Sequence, residues 1–400
     1  MEVIADMTIQ DGINRILYMQ AALNDRYTKF FGQIVLRLDD SSYLMSDENL
    51  LLSSLHKKNI KQYDINTGNA GKILRARKDI GAFVFACTEY SVSFSEKNSL
   101  LLPSLDDLAE IIGPEVKVAK TLNTRDLLRA CRMNNGCLVK GKGIFTIGRN
   151  LHEAIAGMRI IEKSVEAECF AEKVKGVKYI SKENAKKLRA FYNDEYASVN
   201  SSGNADFIDI DSREFDLRNK LIDVGKKLCK KMLVQGTWGN LSLRLNSNEM
   251  LVTPSGMDYF KIKTEDIVKV DIDTLHFRRF QRKPSTEMPL HAAIYRKSPD
   301  CRAVIHTHSN GCSIFAAAQT GFKIGDTNLK KIIGDVNISK YALPGTKDMH
   351  DNVLEALADG HACIISNHGA IFTAGDLDTA LQIADAVESK ACNLLGFNRQ

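Results

Sequence analysis

The chain has 400 residues, a length that suits two domains better than a single core. Its formal net charge is +5, but the basic residues are interspersed with acids, which argues against a nucleic-acid-binding tract. No apolar run is long enough to span a bilayer, and the nine cysteines occur without Cys-X-X-Cys spacing. We therefore expect a cytoplasmic protein with reduced thiols that binds neither nucleic acid nor membrane.

The first half of the chain repeats in the second half. Gly32–Leu38 matches Gly239–Leu245 at an offset of 239 − 32 = 207 residues, and later segments match in the same order. Internal repeats of this kind indicate a tandem duplication. We place the two domains at residues 1–200 and 201–400, with the polar stretch around residues 201–204 as part of the linker. The other matches are Asp64–Thr67 with Asp271–Thr274, Phe83–Glu89 with Arg302–His308, Lys142–Thr146 with Gly369–Thr373, and the helical patterns Leu151–Ala171 with Leu377–Leu395.

The second copy carries the residues suited to chemistry. The apolar run that begins at Ala303 predicts a strand, on which His306 and His308 project from the same face. The pair alone is also compatible with ordinary surface or core histidines. However, His368 ends another apolar strand and Glu287 stands at the head of a predicted helix. Three histidines with one acid form a typical catalytic zinc ligand set.

The same copy also contains two glycine-containing loops. Gly236–Ser242 and Thr253–Gly256 can bring backbone N–H groups close to a ligand, and Ser285 and Thr286 add hydroxyl groups. These residues are equally compatible with turn and helix-cap roles, and a helix N-terminus favours anions in either case. We expect His291, inside the helix that follows Glu287, to be structural.

Five motifs of the second copy resemble the class II aldolase and adducin family, and its fuculose-phosphate aldolase branch in particular. The resemblance covers residues 216–396, and the motifs occur in the family's order. It implies two α/β domains, each a three-layer α/β/α structure with a central, mainly antiparallel sheet. The motifs are Gly236–Ser242, Thr253–Gly256, Ser285–Glu287, His306–His308 and Asn367–Gly369.

The resemblance also implies a reaction. Aldolases of the fuculose-phosphate branch cleave a ketose 1-phosphate into dihydroxyacetone phosphate and an aldehyde, and run the reverse condensation. It implies Zn²⁺, or another divalent metal, held by His306, His308 and His368, with Glu287 as the base that removes the proton next to the carbonyl. The residues implied to bind the substrate phosphate are Asn240, Ser255, Gly256, Ser285 and Thr286.

The first copy lacks these groups, so we expect it to be catalytically inert. In the matched segments Cys87 and Glu89 stand opposite His306 and His308, and a lysine or glycine stands opposite His368. Glu48 and Asn49 stand opposite Ser255 and Gly256, and the acid would repel a phosphate.

Several alternatives remain open at this stage. Gly321–Lys340 contains no tyrosine where family aldolases have one, and the family's C-terminal tail is missing, so a sugar-phosphate dehydratase, decarboxylase or 4-epimerase is also considered. The glutamate of Ser-Thr-Glu favours the aldolase branch over the 4-epimerase branch, which has aspartate. A non-enzymatic, adducin-like scaffold is the alternative from another class. Because family aldolases form fourfold rings, the repeat suggests a homodimer that builds a pseudo-fourfold ring.

Overall fold

The computed structural model describes residues 7–21, 31–48, 50–197, 210–234, 237–278 and 281–396. The chain divides into two units, one of Met1–Cys169 with Ile180–Tyr192, and one of Phe170–Tyr179 with Asn193–Arg399. The predicted domain boundary between residues 200 and 201 lies outside the described residues, as do Gly236 of the first glycine-containing loop and Asn49.

The first unit is built on a nine-stranded sheet. The strand order is β4-β2-β1-β5-β9-β8-β7-β6, with β3 paired to β1. All pairs are antiparallel except β7 with β8. The strands are β1 (Phe31–Arg37), β2 (Ser42–Ser46), β3 (Leu50–Leu51), β4 (Ile60–Asp64), β5 (Ala82–Cys87), β6 (Leu100–Leu101), β7 (Val116–Ala119), β8 (Gly136–Val139) and β9 (Gly143–Gly148).

Helices cover both faces of this sheet. The α-helices in the described part of this half are α1 (Ile9–Ala21), α2 (Gly68–Ala76), α3 (Glu89–Lys97), α4 (Thr124–Ala130), α5 (Leu151–Ala171) and α6 (Lys182–Ala197), and a short π-helix spans Leu108–Ile112. Helices α2 and α4 bury Ile73 and Leu127 against Val35 and Phe145 on one face. Helix α5 packs on the other face, where its residue Ile161 lies over β8.

The second unit repeats this design with seven strands. Their order is β12-β11-β10-β13-β16-β15-β14, and only β14 with β15 is parallel. Strongly apolar strands at the centre of the sheet account for its burial on both faces. The strands are β10 (Asn240–Arg244), β11 (Glu249–Val252), β12 (Val268–Asp271), β13 (Ala303–Thr307), β14 (Asn337–Ile338), β15 (Ala362–Ile365) and β16 (Gly369–Ala374).

The second sheet is also the middle of three layers. Its helices are α7 (Ser212–Lys230), α8 (Met288–Lys297), α9 (Asn310–Ala317), α10 (Thr327–Ile333), α11 (Lys347–Leu357) and α12 (Leu377–Leu395). Helices α8 and α11 bury Leu290 and Val353 against Val304 and Ile371 on one face. Helices α7, α9 and α12 contact the strands and each other in the opposite layer. The predicted α/β fold, three-layered with mainly antiparallel sheets, is confirmed.

Local sequence signals explain where the helices of the second unit begin. The Asp211 side chain accepts a hydrogen bond from the backbone N–H of Glu214 (2.8 Å), which caps α7 and sets its start at Ser212. The predicted helix Leu377–Leu395 is observed as α12, capped by the Asp376 carboxylate.

The strand registers correct the predicted alignment of the two copies. Gln33 of β1 lies opposite Phe85 of β5, just as Asn240 of β10 lies opposite His306 of β13. The offset is therefore 306 − 85 = 221, and α3 and α9 begin at the same offset, since 310 − 89 = 221. The positions of His306 and His308 are thus taken by Phe85 and Cys87. The predicted equivalence with Cys87 and Glu89 is wrong by two residues.

A two-residue slip is hard to detect from sequence because side chains alternate with a period of two, so the shifted strand keeps the same apolar face. Gly143 is the first residue of β9 and Gly369 is the first residue of β16. The residues just before them, Lys142 and His368, therefore occupy equivalent positions. The first copy therefore has a phenyl ring, a thiol and an ammonium group where the second has three imidazoles.

No helix among the described residues is both long enough and apolar enough to cross a membrane. All nine cysteines are free thiols.

Candidate metal centre

Strand β13 positions two of the predicted metal ligands. The strand is buried along its length between β10 and β16, and His306 is fully inaccessible to solvent. His308 follows the last strand residue and is only half-buried. The two rings lie with their Nε2 atoms 2.8 Å apart, so both project to the same side, as the alternation predicts.

The third histidine lies in the turn between β15 and β16 rather than at a strand end. Ile365 lies opposite Gly369, so Ser366, Asn367 and His368 form a three-residue hairpin loop. Asn367 adopts a left-handed conformation (φ 57°), which asparagine tolerates better than most residues. Its side chain accepts a hydrogen bond from Gln319 Nε2 (2.7 Å) and donates one to the Lys178 carbonyl (2.7 Å). These bonds fix the loop that presents His368.

Glu287 enters the cluster from the N-terminus of α8, where it is the N-cap residue. Its Oε1 atom lies 2.9 Å from Nε2 of His368, and its Oε2 atom lies 3.1 Å from Nε2 of His306. Asn240 donates a hydrogen bond from Nδ2 to the same Oε2 (2.7 Å). The ligand atoms of Glu287, His306, His308 and His368 all lie within 4.8 Å of one another.

The tautomer of His306 shows that this cluster suits a cation. Its Nδ1 atom lies 3.0 Å from the Ala370 carbonyl oxygen, which can only accept, so Nδ1 carries the hydrogen. Burial lowers the pKa of His306 well below its usual value and keeps the ring neutral. Its Nε2 lone pair then faces a carboxylate oxygen and a second ring nitrogen. Such an arrangement is repulsive unless a cation lies among the groups, and a backbone carbonyl behind the ligand is typical of metal-binding histidines.

The charge on Glu287 supports the same interpretation. Burial by itself would raise the pKa of this carboxyl group, but positive charge among the facing rings of His306, His368 and His308 lowers it well below the usual value. The group is therefore an ionised carboxylate, which can bind a divalent metal or accept a proton.

The residues implied to bind phosphate fall into two groups. Asn240 lies beside the metal cluster, because its amide contacts Glu287. The others lie in two segments that run antiparallel: Ser255 donates its backbone N–H to the Lys283 carbonyl (2.9 Å), and Ser285 donates its own to the Thr253 carbonyl (3.0 Å). Thr286 and Gly256 are exposed, and Gly256 has φ 68° with open space around it. The Ser285 hydroxyl also accepts from the Glu287 backbone N–H (3.3 Å), a capping contact.

His291 lies outside the cluster. It is fully buried, and its Nδ1 atom lies 2.7 Å from the hydroxyl of Ser242, which in turn lies 2.8 Å from the Tyr295 hydroxyl. Burial lowers the pKa of His291 to about 4, so the ring is neutral at physiological pH. These contacts give His291 a structural role in fixing α8 on the sheet.

Gly369 is needed because two chain segments meet there. A Cβ atom at this position would lie 2.3 Å from the Thr307 carbonyl oxygen and 3.2 Å from Cε1 of His306. We expect Gly369→Ala to lower the free energy of unfolding by about 1–3 kcal/mol, since the strand must shift to admit the methyl group. Urea titration measures this loss. Gly375→Ala, where a Cβ meets nothing within 4 Å, is the matched control, and an equal loss in both variants would contradict the prediction.

Glu388 of α12 is a supporting residue that the sequence reasoning missed. It is 2% exposed and accepts hydrogen bonds from the Ser309 hydroxyl (2.7 Å) and from the backbone N–H groups of Gly311 (2.7 Å) and Cys312 (2.9 Å). It therefore anchors the start of α9, directly after His308. In the first copy, Thr88 likewise donates its hydroxyl hydrogen to the buried Glu162. Each glutamate is the twelfth residue of its helix, Glu162 in α5 and Glu388 in α12. Aligning the two helices in the sequence would therefore have identified this pair.

We expect two substitutions of Glu388 to lower the free energy of unfolding by different amounts. Glu388→Ala leaves three buried donors without this acceptor, at about 1–3 kcal/mol each, whereas Glu388→Gln keeps one acceptor oxygen. The free energy of unfolding should fall from wild type to the glutamine variant to the alanine variant. Metal affinity should fall about 10–100-fold in the alanine variant because the turn that presents His308 loosens. Glu355→Ala, at an exposed site, is the control; equal stability of Glu388→Ala and Glu355→Ala would contradict the prediction.

The chain is similar to a known protein family and to several known enzymes. The family described as "Class II Aldolase and Adducin N-terminal domain" matches the chain twice, at residues 17–169 and 219–394. A 5-deoxy-D-ribulose 1-phosphate aldolase from Bacillus thuringiensis is 32% identical over 175 residues, which are 43% of this chain and 80% of that protein.

Two further relatives have other activities in their names. An L-fuculose phosphate aldolase from Haemophilus influenzae is 33% identical over 181 residues, 43% of this chain and 79% of its own. A 3-oxo-tetronate 4-phosphate decarboxylase from the same species is 27% identical over 183 residues, 44% of this chain and 86% of its own.

Proposed function

The chain belongs to the class II aldolase and adducin family, with two copies of the family domain, and on that premise we propose that it is a metal-dependent aldolase. The proposed substrate is a ketose 1-phosphate similar to fuculose 1-phosphate, which is cleaved to dihydroxyacetone phosphate and an aldehyde. The observation that carries the proposal is the convergence of Glu287, His306, His308 and His368, whose ligand atoms lie within 4.8 Å of one another.

We propose zinc as the metal, held by His306, His308 and His368. Three imidazoles with a carboxylate form a donor set that suits zinc, although other divalent metals accept the same ligands. When bound, the metal supplies the Lewis acidity that polarises the carbonyl group of the substrate.

The proposed role of Glu287 is proton transfer. In the condensation direction its carboxylate takes the proton from the substrate carbon next to the carbonyl, and in cleavage it returns that proton to the same carbon. Its ionised state and its position in contact with two of the metal ligands support this role. The hydrogen bond from Asn240 Nδ2 holds Oε2 in place and leaves Oε1 next to His368.

We propose that the antiparallel segments Thr253–Gly256 and Lys283–Thr286 hold the substrate phosphate. Ser255, Ser285 and Thr286 offer hydroxyl donors, and the open left-handed turn at Gly256 lets the phosphate approach the backbone. The N-terminus of α8 begins directly after these residues and favours an anion. Binding here would orient the reacting carbon toward the metal.

A screen of ketose 1-phosphates tests this function. The purified chain, loaded with zinc, is incubated with each sugar phosphate, and release of dihydroxyacetone phosphate is measured with and without a chelator. We expect metal-dependent release from at least one of them. Failure with every substrate, in protein that demonstrably contains zinc, would contradict the aldolase assignment.

A decarboxylase that acts on a phosphorylated 3-oxo acid is the second candidate. The similarity to the 3-oxo-tetronate 4-phosphate decarboxylase favours it, and a polarised carbonyl next to the breaking bond serves that reaction equally well. Release of carbon dioxide from a 3-oxo acid phosphate, without dihydroxyacetone phosphate from any ketose, would select it. A scaffold role does not explain why all four metal-binding groups converge.

The first copy is proposed to be catalytically inert, because Phe85, Cys87 and Lys142 replace the three histidines. We further propose a cytoplasmic homodimer with a pseudo-fourfold ring. Light scattering should then report a dimer. A fully active monomer would contradict the ring.

A further inference from the structure

A second cluster of polar groups lies at the other end of β10. Asn240 begins this strand opposite His306, whereas Arg244 ends it, about 13 Å further along. Beside Arg244 is a cleft of about 780 Å³, formed by the β10–β11 turn, the start of α7, the end of α8 and the residues before β13. Four arginines line it, together with the single acid Asp273. These arginines are Arg213, Arg244, Arg296 and Arg302.

The charges of the four arginines are not neutralised within the described parts of the chain, where no carboxylate forms an ion pair with any of them. Arg244 donates from Nε to the Cys301 carbonyl (3.0 Å), and its guanidinium lies 4.8 Å from the centre of the Tyr295 ring. Arg296 donates to the Ile272 carbonyl. Carbonyl oxygens hold these two side chains in place but carry no net charge, so both remain cationic.

The other two arginines are available to a ligand. Arg213 and Arg302 are exposed, and the structure gives their side chains no hydrogen bond to any described residue. Four guanidinium groups around one cleft give it a positive potential that attracts anions. Two fixed guanidinium groups beside two adaptable ones form an arrangement that suits a ligand with more than one anionic group.

We infer that this arginine cleft binds a small polyanion that carries at least two phosphate groups. Guanidinium groups pair with phosphate through two parallel hydrogen bonds, and the cleft volume lies within the range of about 300–1,000 Å³ that is usual for small-molecule sites. The cleft is separate from the metal centre, because the two occupy opposite ends of β10. The inference therefore does not rest on the proposed aldolase activity.

Calorimetric titration of the full chain with inorganic pyrophosphate tests the inference. The key variant is Arg213→Ala/Arg302→Ala, since neither side chain has a structural hydrogen bond in the described residues. We expect its pyrophosphate affinity to be at least about tenfold weaker than that of the wild type, because a charge-assisted hydrogen bond is lost at each position. Arg278→Ala, at an exposed arginine outside the cleft, is the matched control and should bind like the wild type.

Further titrations distinguish binding in the cleft from binding at other anion sites. His306→Ala disrupts the metal centre and should leave pyrophosphate affinity unchanged; loss of binding in this variant would assign the pyrophosphate to the metal centre and overturn the inference. Inorganic phosphate should bind more weakly than pyrophosphate. Equal binding by the wild type and the double arginine variant would overturn the inference. The inference would also be overturned if the wild type bound polyglutamate but not pyrophosphate. That result would indicate that the cleft binds acidic polypeptides.

Discussion

The His306→Ala variant is expected to contain no stoichiometric divalent metal and to cleave ketose 1-phosphate at least about a thousandfold more slowly, since charge stabilisation by a metal is worth several kcal/mol. His306 is the innermost of the four converging side chains: it is fully buried, and its Nε2 atom contacts both His308 and Glu287. Its removal leaves two imidazoles and a carboxylate around a buried gap. Elemental analysis of the purified variant and an initial-rate assay measure the two effects.

The control for this substitution is a histidine of the same unit that lies away from the cluster. His276 is exposed, so His276→Ala should keep both the metal and the activity. Circular dichroism of both variants checks that they fold. If folded His306→Ala retained one metal per chain and the wild-type rate, the assignment of the metal centre would be wrong.

The Glu287→Gln variant is expected to keep its metal and lose about 10²–10⁴-fold in rate, the usual contribution of a general base. The amide has nearly the same shape as the carboxylate and can still accept a hydrogen bond from Asn240, but it cannot take a proton from carbon. Three imidazoles remain to hold the metal. We expect the loss to fall on kcat, because Glu287 acts on the reacting atoms rather than on the phosphate.

Exchange chemistry gives this prediction a second readout. The wild type should exchange the proton next to the carbonyl of dihydroxyacetone phosphate with deuterium from solvent, and Glu287→Gln should not, provided that elemental analysis finds equal metal in both. Glu355→Gln, at an exposed carboxylate paired with Lys340, is the matched control and should behave as the wild type. Undiminished exchange in Glu287→Gln would show that another group is the base.

The arrangement of the metal centre follows largely from patterns in the sequence. Alternation along β13 predicts that His306 and His308 share a face, and the structure brings their Nε2 atoms to 2.8 Å. The turn at Asn367 explains why His368 could be recognised by its motif but not positioned by periodicity: its direction depends on a left-handed residue and on bonds to Gln319 and Lys178. Such contacts link residues far apart in the chain and leave no periodic signal.

The repeat shows a different limit of sequence reasoning. The matched segments predict the duplication, and the helical pattern predicts the bounds of α5 and α12, but the predicted pairing of Cys87 with His306 is wrong. Apolar strands match equally well after a two-residue shift, whereas the hydrogen-bonded register and the starts of α3 and α9 permit only one alignment. The match of α5 with α12, at an offset of 388 − 162 = 226, sets Glu162 against Glu388, and both carboxylates are buried. Both copies contain this carboxylate and only the second contains the three imidazoles, as expected if the glutamates support the fold and the histidines bind a metal.

X-ray absorption at the zinc edge, on full-length protein purified without added metal, tests the central claim most directly. We predict one zinc per chain, bound by three imidazole nitrogens at about 2.0–2.1 Å and by oxygen, with no sulfur ligand. Protein that is active but contains no divalent metal would contradict the claim. A zinc ion bound through cysteine sulfur at about 2.3 Å would contradict it equally, because it would mean that the three histidines do not form the site.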